Sequence, residues 1–159
     1  MDTEALRKMA VAAHGEAWRL LDKPDRSQAE TAAMIAAAHK SHALWAEAGT
    51  FIEDQRGTWL VARAYLEAGL AEPALEFARR TMELTARHEK DLADFDRAFA
   101  KEIAARAWAL AGNRERALKH HKDARMLGNR IADDGDRAEF FRQFDGGPWF
   151  GLSEDDRAG

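Results

Sequence analysis

The chain has 159 residues, no cysteine and a formal net charge of −4. That length supports one domain with a sizeable core and no metal or disulfide staples, and the lack of cysteine removes disulfides, thiol catalysis and Cys-based zinc or iron-sulfur ligation. Residues 133–159 hold eight Asp/Glu against three Lys/Arg, which leaves a nearly neutral body of 20 acidic and 21 basic residues. Nucleic acid and anionic membranes, which draw on a broad positive field, are therefore not expected partners.

Ala, Leu, Glu, Arg and Lys dominate, while the strand-forming Val, Ile, Thr and Tyr are sparse. Apolar periodicity and breakers predict helices at about 3–22, 26–48, 51–69, 71–88, 91–111 and 114–131, with a shorter one near 134–144. Lys23-Pro24-Asp25 interrupts the first pair, Gly49 follows the second helix, and Gly69 and Gly112 sit where helix ends use a left-handed residue. Pro73 falls in a first turn, where its missing N–H costs nothing. Asp91, Asp94 and Asp96 open the fifth helix, where its dipole favours carboxylates. The opening Met1-Asp2-Thr3-Glu4 is not a basic leader before an apolar stretch. The longest wholly apolar run, Ala32 to Ala38, is too short to span a bilayer. A cytoplasmic protein is the expectation.

The segment from Ala64 to Leu75 realigns onto Ala107 to Leu118 at an offset of 43 residues, and a fainter copy begins at Ala17-Trp18. Trp18, Tyr65 and Trp108 thereby become equivalent aromatics near the ends of three first helices. In two of the copies a glycine follows four residues later and a small alanine five further on: Tyr65, Gly69 and Ala74, then Trp108, Gly112 and Ala117. At these positions the chain resembles tetratricopeptide repeats, over about residues 3–131, with a period longer than the usual 34. Trp45, Ala48-Gly49-Thr50, Gln55-Arg56-Gly57 and Trp59 also look like part of a group of bacterial single-domain proteins of this type, a likeness that brings no activity with it.

The resemblance implies an all-α fold of three stacked antiparallel helix hairpins, at about 3–48, 51–88 and 91–131, in a right-handed superhelix. The helix at 134–144 is expected to cap it, and residues 145–159 to form an extended acidic tail. The resemblance also implies that first helices line a concave groove. The second would project Arg56, Trp59, Arg63 and Leu66, which share one helical face, and the third Phe99, Glu102 and Arg106. Arginines from neighbouring helices bind carboxylates through planar charged forks, with aromatics packing beside them. The set resembles the carboxylate clamp of some tetratricopeptide domains, although the asparagines that complete such clamps have no counterpart here. The same Arg56, Arg63, Glu102 and Arg106 would equally serve as interhelical ion pairs whose stems cover the core.

The principal functional expectation is a non-enzymatic module that binds a protein or peptide, acidic or carboxylate-bearing, in a groove lined by Arg56, Trp59, Arg63, Phe99, Glu102 and Arg106. The alternative is a small-molecule or metal site, with enzymatic chemistry as an option, built from His14, His39 and His42 with Trp18 and Trp45. Against a metal stands the more frequent fate of such histidines, a ring bonded to a backbone carbonyl or carboxylate. His120 and His121 diverge by about 100° on a helix and cannot chelate together; His121 falls where core filling is expected. No nucleophile elbow, phosphate loop or assignable acid-base pair occurs, and no cofactor is expected. The aromatic stretch Phe140 to Leu152 is expected either to cover the third hairpin or to swap into a second subunit, so that Trp149 and Phe150 build a homo-oligomer.

Overall fold

A computed structural model describes residues 1–159, and every regular element in it is helical. α1 (Thr3–Leu21), α2 (Gln28–Ala48), α3 (Phe51–Glu67), α4 (Ala71–Arg87), α5 (Asp94–Leu110), α6 (Arg114–Asn129), α7 (Asp134–Phe144) and α8 (Glu154–Ala158) follow in chain order. α1 pairs with α2, α3 with α4 and α5 with α6, while the packing of α2 on α3 and of α4 on α5 joins the hairpins in series. No helix is long and apolar enough to cross a membrane.

Helix starts follow from side-chain oxygens placed to accept orphan N–H groups. Ser27 with Glu30, Thr50 with Glu53 and Ser153 with Asp156 form capping boxes, and Asp2, Asn113 and Asp133 cap α1, α6 and α7; each such cap contributes about 1 kcal/mol. The two predicted hairpin turns are built alike. Gly69 (φ 73°) donates to Leu66 O and Leu70 to Tyr65 O, while Gly112 (φ 85°) donates to Ala109 O and Asn113 to Trp108 O. This is the paired bonding of a Schellman end, which needs a residue without a Cβ clash at the left-handed position. The next helix begins at once, and the fully buried Ala74 and Ala117 lie in its first turn. Between α1 and α2, Arg26 Nη1 donates to Leu20 O (3.1 Å) and Leu21 O (3.0 Å), satisfying carbonyls at the end of α1.

Two boundaries differ from expectation. Residues 91–93 are not part of α5: Glu89–Asp91 forms a single 3-10 turn and Leu92 is extended, because its side chain turns into the core at 5% exposure. Residues 145–159 are not an extended tail. The chain reverses past a cis Gly147–Pro148 bond, buries Trp149 and closes with α8, whose Asp156 pairs with Arg114.

One apolar cluster runs from Ala17 and Leu20 of α1 through Leu60, Val61 and Ile103 to Phe140, Phe144 and Trp149. α7 caps the third hairpin by setting Phe140 edge-on to Phe99, with centroids 4.9 Å apart. It approaches α6 at Gly128, where a Cβ would lie 2.4 Å from the Phe140 ring. A polar seam fixes α3 against α4 and α5. Buried Gln55 donates to Thr85 Oγ1 and to Asp96 O (3.1 Å each), and Thr81 Oγ1 bonds Thr58 Oγ1 at 2.9 Å. Satisfied polar groups of this kind permit one register between helices, since a shift would leave them unpaired in the core.

Candidate functional site

The six residues expected to line a groove are brought together on adjoining faces of α3 and α5, but only part of that surface is open. Glu102 and Arg106 are fully buried, at 0% exposure, Trp59 and Phe99 are buried at 8% each, Arg63 is half-buried, and only Arg56 is exposed. Glu102 accepts Trp59 Nε1–H at 3.0 Å and the Nε–H of Arg106 one turn away. Arg106 spends its remaining donors on its own chain: Nη1 on Gly146 O (3.1 Å) and Pro148 O (2.8 Å), Nη2 on Gln143 O (2.7 Å). Its guanidinium carbon lies 4.1 Å from the centroid of the Trp149 ring. An intramolecular segment thus occupies the expected clamp. Arg106 and Glu102 are not partner-facing residues but the buried anchor of residues 143–149.

The charge line continues outward from this anchor. Arg63 pairs with Glu67 at 2.9 Å, stands 3.7 Å from Glu102 and reaches Gly147 O at 3.4 Å; Glu67 also accepts Arg26 at 3.0 Å. Arg26, Glu67, Arg63, Glu102 and Arg106 therefore alternate in sign from the α1–α2 loop across α3 to α5. Burial pulls the Arg106 guanidinium below its usual pKa and the neighbouring Glu102 carboxylate opposes that shift, but a guanidinium stays charged throughout the accessible range. Desolvation offsets much of the Coulombic attraction in such a line, so its consequence is specific geometry more than surplus stability.

Beside the covered part lies an open cleft of about 260 Å³, floored by Trp59 and Phe99 and bordered by His14 and Trp18 of α1, Phe95 of α5 and Gln143 of α7. Trp18 stacks on Trp59 (5.9 Å, 22°), Trp59 meets Phe99 edge-on (5.5 Å, 78°), and Phe95 meets Phe99 in the same way at 4.9 Å. Arg56 forms the rim. Its side chain is 56% exposed while its fork holds the buried Asp96 carboxylate at 2.8 and 3.2 Å, and this bond raises its pKa. A smaller hollow of about 190 Å³ adjoins it, sharing His14 and Arg56 and lined by Ser41 and Trp45. Desolvation lowers the His14 pKa.

The three histidines proposed as ligands do not converge. His39 Nε2 bonds Tyr65 OH at 2.8 Å, His42 Nε2 bonds Asp54 Oδ1 at 2.7 Å, and His14 lies against Trp18. No group of three or more His, Asp or Glu is placed to hold a metal ion. His121, at 3% exposure, fills the core between Phe144 (4.4 Å) and Trp149 (4.8 Å). Burial lowers its pKa to about 4, with Arg125, Arg157 and Arg106 adding to the effect.

Sequence reasoning missed Asp96, Phe95 and Gln143 as members of this surface. The helix dipole alone accounts for a carboxylate at Asp96, yet its side chain turns inward to Arg56. The 43-residue period did carry a usable signal, because positions one period apart lie side by side: Trp59 bonds Glu102, and Arg63 and Arg106 flank the same carboxylate. Fold and site together define an all-helical hairpin protein with a small aromatic-lined cleft. Comparison with protein families, curated proteins and solved structures finds no match for the chain.

Proposed function

We propose that the protein is a tetratricopeptide-like, non-enzymatic interaction module, and that it binds an extended segment of a partner protein in the cleft between α1, α3 and α5. One observation carries this reading: the same face already holds a peptide. Residues 143–149 lie across α5 with three backbone carbonyls on Arg106 and an aromatic side chain, Trp149, over the guanidinium. The aromatic cleft continues that track toward α1, with the part-exposed Trp18 and Phe95 at its sides over the buried Trp59 and Phe99, and no group of three or more metal-ligating side chains is gathered there. Aromatic side chains with an arginine at the edge are the groups that dominate binding energy at protein interfaces. Arg56 gives the ligand its expected sign, since its exposed face can take a second carboxylate beside Asp96.

The test uses fluorescein-labelled, end-blocked hexapeptides with a central Phe or Leu flanked by Asp or Glu, set against versions flanked by Lys. The acidic set is expected to bind in the micromolar to sub-millimolar range. Trp18→Ala and Arg56→Glu should each weaken it about tenfold, about 1.4 kcal/mol. Equal binding of acidic and basic peptides, or binding indifferent to both substitutions, defeats the proposal.

A further inference from the structure

The opposite side of α5 carries a second and larger depression. Phe95, Phe99, Glu102 and Arg106 face the covered groove and cleft. Ala100, Ala104, Trp108 and Ala111 are displaced by roughly 160° around the helix at 100° per residue, and they floor a channel between α4 and α6. α4 and α6 both pack on α5 but hardly on each other, which leaves the channel open. Its main part has a volume of about 1200 Å³ and a narrower part of about 340 Å³ continues it past Met82. That exceeds the roughly 300–1,000 Å³ of small-molecule sites and suits a macromolecular segment.

The two walls differ in charge. On α4, Glu76 is neutralised by Arg79 and Arg80, while the exposed Glu72 on the same wall has no basic partner. On α6, Arg116 and Lys119 have no carboxylate partner: Arg116 instead lies 4.6 Å over the Trp108 ring, and Lys119 extends beside it from the same wall. His120 on this wall has a buried Nδ1 without a hydrogen-bond partner, and Arg97, lining the narrower part, has a buried Nε in the same condition.

We infer that this channel is a docking site for an acidic amphipathic helix of a partner protein, with an apolar ridge against the part-exposed Leu75, Met82 and Trp108 and carboxylates along the edge facing Arg116 and Lys119. A helix suits the shape because two helical walls, one of them the 17-residue α4, offer ridges over a floor of small side chains. Helices approach to about 8–10 Å, depending on the side chains that meet. This surface is independent of the cleft on the other side of α5, and neither reading depends on the other.

The experiment uses the whole chain and two stapled, end-blocked helical peptides of about 17 residues, matched to the length of α4, with Leu along one face and either Glu or Lys along the adjoining edge. Binding is followed by fluorescence anisotropy and by amide chemical-shift changes. The Glu peptide is expected to bind at least tenfold more tightly than the Lys peptide and to shift amides of α4 and α6. R116E combined with K119E is expected to invert that preference while circular dichroism shows an unchanged helical fold. Equal affinity for the two peptides, no binding at millimolar concentration, or shifts confined to α1 and α3 would overturn the assignment. The wild-type comparison of the two peptides decides the matter even if the double variant folds poorly. Concentration-dependent self-association that competes with the Glu peptide would assign the channel to a second copy of this chain and also overturn it.

Discussion

Replacing Arg106 with Met keeps the length of the stem and removes the guanidinium, and the structure sets the cost. The change strands the Glu102 carboxylate, which is fully buried, with only the Trp59 N–H and a distant Arg63 as partners. It also removes the donors from Gln143 O, Gly146 O and Pro148 O and the cation beneath Trp149. Deleting one member of a buried pair costs about 3–5 kcal/mol; the carbonyls add little, because water reaches them once the segment loosens. For a domain of this size that lowers Tm on the order of 10 °C. Urea unfolding followed by tryptophan fluorescence measures the loss, and Glu102→Gln completes a double-mutant cycle. The amide introduced by that change still accepts from Trp59, so the double variant should lose at least about 1 kcal/mol less than the two single losses together. A loss below about 1 kcal/mol for Arg106→Met, well under the cost of breaking a buried pair, or an additive cycle, refutes the anchoring role given to this pair.

Three further outcomes follow from the same geometry. Ending the chain after Phe144 removes the Trp149 side chain from the core and exposes Phe144 and His121; the expected cost is about 3–5 kcal/mol with no change in subunit number by light scattering, because the segment packs on its own hairpin. A fall in subunit number instead would show that residues 145–159 hold two chains together. Gly69→Ala and Gly112→Ala place a Cβ at positive φ and should each destabilise the fold by about 1 kcal/mol in chemical denaturation, whereas no loss at either would remove the turn argument. His121 has a folded-state pKa of about 4 against an ordinary value near 6.5, so the unfolded chain takes up a proton that the folded chain refuses. Stability from this group is then full above about pH 6.5 and declines as pH falls toward 4. His121→Phe should flatten that part of the urea-midpoint profile, and a proton NMR titration placing His121 near its ordinary value would contradict the burial argument.

How far the sequence reached depended on whether the determinant was local. The breakers Lys23-Pro24-Asp25 and Gly49 and the turn glycines Gly69 and Gly112 act within a few residues of themselves, so the hairpins and most of their limits were readable, and the alignment of Tyr65 with Trp108 was enough to pair them. The proximity of Arg63, Glu102 and Arg106 was readable too, from helical spacing together with the groove that the resemblance to tetratricopeptide repeats implies. Their accessibility was not, because it is decided by carbonyls about 40 residues further along the chain in a stretch rich in glycine and aromatics, whose backbone pattern predicts no regular structure. The same gap separated His14, His39 and His42 from a true metal site. Their stripes lie on adjoining helices, yet His39 and His42 turn to Tyr65 and Asp54, partners that only the packed hairpins reveal.

The bond between Trp59 and Glu102 joins equivalent positions of successive repeats while using different residue types at each. Repeat proteins are ordinarily interchangeable along their length, so that a unit can be duplicated or deleted and the remainder restacks. Here a copy of the second hairpin inserted directly after itself would set tryptophan against tryptophan with no carboxylate to accept the N–H, and a copy of the third inserted directly after itself would bring two carboxylates together with no Trp N–H between them. The order of the hairpins is therefore written into their shared interface. Lengthening this array would require a new complementary pair at each added boundary, a barrier to growth by simple duplication.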